Sequence, residues 1–127
     1  MSATTSRILR PAILILALIS IGAGLWAMIA SRSFYLNAAT FPPYNAHLIH
    51  DIGAFQIGLG TCLAAGLALA DALLVVLVGN AVANVAHFIA HVADRDQGGN
   101  ASDPITFGIV AALFVALAVV RQRTSDL

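Results

Sequence analysis

Residues 52–92 read IGAFQIGLGTCLAAGLALADALLVVLVGNAVANVAHFIAHV, and the fold turns on this stretch. Asp71 is its only charged residue and divides it into two apolar runs, 52–70 and 72–92. A helix needs about 20 such residues to cross the hydrocarbon core of a bilayer, so each run makes one span. A join this short makes the two helices antiparallel neighbours. Asp71 is expected to cap the second of them by accepting from its first free N–H groups. Working outward, residues 11–30 form a charge-free run with Trp26 near one end, and residues 104–120 form a shorter fourth run. The sequence therefore predicts an all-α protein, an integral-membrane four-helix bundle making one domain of residues 1–127. Backbone groups in hydrocarbon must find partners within their own segment, which helices provide and open sheets do not.

The composition points the same way. Of 127 residues, 60% are hydrophobic and 9% are charged, whereas soluble domains run near about a quarter charged. Lysine and glutamate are absent, and six Arg balance six Asp. A nucleic-acid partner is not expected, since phosphate binding calls for a basic surplus. The single cysteine, Cys62, cannot form an internal disulfide. It sits deep in the second span without a basic neighbour and reads as packing. No serine occupies a nucleophile-elbow pattern and no glycine-rich loop follows a strand, so hydrolase and nucleotide-binding sites are not indicated.

Positive charge sets the expected direction. Arg7, Arg10, Arg121 and Arg123 fall on one side of the spans, and Arg32 and Arg95 on the other. This predicts a multi-pass protein of the plasma membrane with both termini cytoplasmic and with Tyr44 and Gly98 outside. The first run is read as a retained span, because its end, Leu25 to Ala30, offers no small-x-small cleavage site. The first outer loop carries Phe34, Tyr35, Phe41 and Tyr44, rings that settle at headgroup level.

Measured from Asp71 at about 1.5 Å per residue, His50 and His91 come to nearly the same height. His47 falls about a turn further out and His87 about a turn further in. Asn80, Asn84, His87 and His91 share one face of the third span, opposite Val78, Val82, Val85 and Ile89. On the second span His47, His50 and Asp51 share a face with Ala54, Gly58, Thr61, Cys62 and Ala65. Small residues let helix backbones approach closely. This face, with Gly58 at the helix interface, is therefore expected to meet the Asn/His stripe. The expected cluster is His47, His50, Asp51, His87 and His91, with Asn84 and Asn80 beneath. Neutral imidazoles at these spacings suit Cu, Zn, Fe or haem iron, and Asp51 could ligate or fix a histidine tautomer. The same residues also read as a structural or proton-responsive polar cluster, or as the wall of a small-molecule pocket. Gln56 points the opposite way from His47. Hydrocarbon satisfies none of its amide groups, so a helix is expected against it, from another subunit in preference to the same chain.

Residues 33–60 read SFYLNAATFPPYNAHLIHDIGAFQIGLG. Phe34-Tyr35, Pro43-Tyr44-Asn45-x-His47 and Asp51-x-Gly53-Ala54 resemble a family of small four-span membrane proteins common in actinobacteria, and more remotely the DoxX-like four-helix membrane proteins. Ala46 and His50 stand where that family often carries an acidic residue and an arginine. The resemblance implies a four-span fold. DoxX-like members include accessory subunits of quinone-linked oxidoreductases, so it also implies a place beside a redox complex. The expected function is thus an accessory or binding subunit of a larger membrane assembly, its outer histidine cluster being the contact. Its partners would be membrane lipid and other membrane subunits or copies of itself. The alternative is a metal- or haem-binding redox protein that uses the same histidines. A carrier or pore is disfavoured, because the polar groups lie at one end only.

Overall fold

A computed structural model describes residues 3–69 and 72–125. They form α1 (Ala3–Ile29), α2 (Ser31–Asn37), α3 (Ala46–Ala68), α4 (Leu73–Ala93) and α5 (Asp103–Ser125), with no strand among the described residues. Four helices are long and apolar enough to cross a membrane: Leu9–Ile29 within α1, the whole of α3 and of α4, and Asp103–Thr124 within α5. The expected cap by Asp71 lies outside the described residues.

Helix α3 begins several residues before the expected start of its span. Its cap is Asn45, whose side chain accepts from the Leu48 N–H at 3.3 Å. A side-chain acceptor at this position satisfies one of the orphan donors of the first turn. His47, His50 and Asp51 are thereby drawn onto the helix. The short helix α2 is an addition to the sequence expectation. It is held down by aromatic contacts, with Phe34 edge-on to Trp26 at 5.2 Å and Tyr35 against Tyr44 at 5.1 Å. A 2.8 Å hydrogen bond between Ser31 Oγ and Tyr44 Oη closes the loop.

The long helices pack as two pairs, α1 with α3 and α4 with α5. Glycine decides the first pair. A Cβ on Gly53 would lie 2.8 Å from the Gly24 carbonyl oxygen, and one on Gly60 would lie 2.8 Å from that of Ala17. Only a residue without a side chain lets two backbones pass this closely. In the second pair Gly108 admits the Phe88 ring. Helices α3 and α4, although consecutive, meet chiefly near their join, where Gly66 faces Leu73 and Val76. There Ile13, Leu63, Leu77, Phe114 and Leu117 form the larger core, at the end where α1 begins and α5 finishes. Arg10 Nη2 reaches over this end and donates to the Leu67 carbonyl at 3.1 Å, satisfying an open acceptor in the last turn of α3. A smaller cluster of Ala27, Phe34 and Ile49 closes the opposite end.

The inward face of α3 is not the expected one. Ile49, Gly53, Gly60, Leu63 and Gly66 are buried, whereas Ala54, Gly58, Thr61, Cys62 and Ala65 are exposed. Nothing stands within 4 Å of a Cβ placed on Gly58, so Gly58 is not at the interface. Both faces carry small residues, but only Gly53 and Gly60 match the spacing of Gly24 and Ala17 on α1. His47 and Asp51 did not need an interior place, because they lie in the first turns of α3, at a helix end.

Candidate functional site

Helix α4 presents Asn80, Asn84, His87 and His91 as one stripe, as its spacing predicts. Asn80 is 3% exposed. It donates to the Val76 carbonyl at 3.0 Å, and Asn84 donates to the Asn80 carbonyl at 2.8 Å. Bonding back to the preceding turn lets a polar side chain sit in apolar surroundings. Above them His87 Nε2 and His91 Nε2 face each other at 3.0 Å. Two ring nitrogens this close share one proton, one donating and the other accepting.

The other nitrogen of His91 meets α5. Its Nδ1 lies 4.0 Å from Asp103 Oδ2, and the two side chains are only 12% and 13% exposed. Asp103 is held in turn by the Asn100 N–H, which donates to Oδ2 at 2.8 Å. The Gly99 N–H donates to the Thr40 carbonyl at 3.0 Å and so ties the two loops at this end together. One turn into α5, Phe107 lies against both imidazoles, with ring centroids 4.2 Å from His87 and 4.3 Å from His91. Phe41 approaches His91 edge-on at 5.6 Å. An Asp–His–His row thus runs from the loop inward, clamped by aromatic rings.

Two cavities open on this row, between the helix pairs. One of about 330 Å³ is lined by Trp26, Phe34, Phe41, Gln56, His87 and His91 among others. The second, about 270 Å³, continues inward past Leu16, Ile19, Leu59, Asn80 and Asn84. Ala23, Gln56, His87 and Phe107 belong to both linings, so the two are parts of one cleft. A combined space of this kind falls in the range of small-molecule sites, which are mostly apolar with a few placed polar groups. On the loop side of His91 a third hollow is lined by Arg95, Asp96, Gly98 and Asn100. His91 stands between this polar hollow and the interior cleft.

The five residues of the expected cluster are therefore divided. His87 and His91 stand in the cleft, whereas the His47 side chain is 86% exposed and pairs at 3.6 Å with Asp51, itself 51% exposed. His50, partly exposed in the same turns of α3, lines neither cavity. Among the described residues no three His, Cys, Asp or Glu side chains come together as a metal-ligand set. Gln56 is half-buried and lies inside the molecule, in the same cavity walls as α1, α4 and α5 residues. Sequence reasoning passes over Asp103 and Phe107, and places Phe41 only among the loop rings at headgroup level. The position of Asp103 just before Pro104, at the first residue of a helix, was the available signal.

Comparison with protein-family models, curated proteins and solved structures finds no match for this chain. What the fold and site define is a class: a protein of four helices long and apolar enough to span a membrane, with a mostly apolar cleft between two helix pairs that carries a few polar groups.

Proposed function

We propose that this protein is a small binding subunit of the cell membrane, serving a larger membrane assembly through the cleft that contains His87 and His91. Both termini are cytoplasmic in this reading, and the Asp–His–His row opens to the outer face. One observation carries it. Gln56 lines both cavities, yet its amide makes no hydrogen bond within the described residues. Its amide atoms are not sealed off but open onto the cleft, where a hydrogen bond to a bound group is worth about 1 kcal/mol. The test is to isolate the protein from its native membrane in mild detergent and to identify small molecules released from it. The wild type is expected to carry a ligand in stoichiometric amount, and Gln56→Leu to lose most of it. The variant should remain within about 1 kcal/mol of wild-type stability, since no internal bond is removed. Equal ligand content in the two proteins would remove the cleft from consideration.

A second reading, a metal- or haem-binding redox protein, is favoured by the two Nε2 atoms that converge at 3.0 Å. Metal analysis and a visible spectrum separate the two. A binding subunit gives a featureless spectrum. A metal or haem protein gives a band that His87→Ala abolishes and that His47→Ala leaves intact.

The topology has its own check. Cys62 is the only native thiol, so a Cys62→Ser background carrying Ala101→Cys, at an exposed position of the loop that holds Gly98, reports a single site. Membrane-impermeant thiol reagent is expected to label intact cells at position 101. Labelling only after the membrane is opened would reverse the orientation.

A further inference from the structure

The proton order of the histidine pair narrows what the cleft can hold. The Asp103 carboxylate, 4.0 Å from His91 Nδ1, favours a proton on that nitrogen. A neutral His91 then presents a bare Nε2, so the facing His87 Nε2, 3.0 Å away, is the N–H that donates. His87 is left with a bare Nδ1, an acceptor that no described residue satisfies. Gln56, in the same two cavity walls, holds N–H donors and a carbonyl oxygen that are also unspent.

An acceptor and a donor on one space are both met by a hydroxyl group, which donates to the first and accepts from the second. A carbonyl can only accept, and an ammonium can only donate. The walls restrict the rest of the molecule. Trp26, Phe34 and Phe41 suit a flat ring. No Arg or Asp lines either cavity, so an ionic ligand would lie there without a counter-ion. Beyond the ring, Leu16, Ile19 and Leu59 offer an apolar track. We propose that the cleft is a binding site for an uncharged, membrane-soluble phenol, its hydroxyl donating to His87 Nδ1 and accepting from the Gln56 amide. This rests on the binding-subunit reading above and narrows it to one ligand class.

Trp26 is the only tryptophan and lines the larger cavity, so its fluorescence reports occupancy. The full-length protein in lipid nanodiscs is titrated with 4-nonylphenol and with its methyl ether, 4-nonylanisole, which lacks the donor. The phenol is expected to change the fluorescence saturably, and the ether to bind about tenfold more weakly, as loss of one hydrogen bond to a polar site would give. His87→Phe should bring the two affinities together. Asp103→Ala serves as the second variant. It lies outside both cavity walls and takes away the carboxylate beside His91, so the proton order is no longer set and the phenol preference should fall. Equal affinities for phenol and ether in the wild type would overturn the hydroxyl assignment and leave the cleft as a binding site. A preference that survives both variants overturns it too. A non-saturable response to both probes also overturns it, and the binding-subunit reading is then decided by the co-purified ligand, which involves neither probe.

Discussion

Gly53→Val is expected to be among the most damaging single substitutions in the protein. A Cβ at this position would stand 2.8 Å from the Gly24 carbonyl oxygen, 2.9 Å from Met28 Cγ and 3.1 Å from Ala27 Cβ. The first of these is backbone on a facing helix and cannot swing aside. The helices must separate, and with them the burial of Ala17, Ala27 and Leu63, each of which is fully buried. Overpacking of this kind costs roughly 3 kcal/mol. Thermal unfolding of the purified protein, followed by helical circular dichroism, measures it. Gly58→Val, five residues on and with nothing within 4 Å of the added carbon, should stay within about 0.5 kcal/mol of wild type. Were Gly58→Val the damaging change and Gly53→Val the tolerated one, α3 would present its other face to α1.

The second large effect is expected at Gly99. Its φ is +81°, a left-handed conformation in which an added Cβ would lie 2.8 Å from Phe41 Cζ and 2.9 Å from Asp103 Oδ2. Gly99→Val therefore combines backbone strain of about 1–2 kcal/mol with an overlap on two residues that frame His91. The carboxylate and the Phe41 ring must move, and the tie between Gly99 N–H and Thr40 weakens with them. Stability should fall by roughly 2 kcal/mol or more. Nitrogen NMR of labelled histidine should at the same time show His91 losing its fixed tautomer. A variant with wild-type stability and an unchanged His91 signal would mean that this loop does not hold Asp103 in place.

Much of the molecule can be read one helix at a time. The four long apolar runs are visible because crossing hydrocarbon imposes a length and excludes charge, both of which are local properties of the chain. The α4 stripe is equally local, since the spacing of Asn80, Asn84, His87 and His91 places them on one face whatever that helix packs against. So is the relation between His47 and Gln56 on opposite sides of α3.

What the chain alone determined, then, is the number of helices long and apolar enough to span a membrane, their all-α character, the polar stripe of α4 and the opposition of Gln56 to His47. Only the tertiary structure decided which side of α3 turns inward. Two faces of that helix offer small residues, and the choice depends on Gly53 and Gly60 finding Gly24 and Ala17 at matching intervals on α1. That single rotation carries His47, His50 and Asp51 outward and brings Gln56 into the wall shared with His87. It also leaves Asp103, brought in by α5, as the carboxylate beside His91. Periodicity states which residues lie together on a helix, but the meeting of two helices is settled by the fit of both surfaces, and no one segment contains that information.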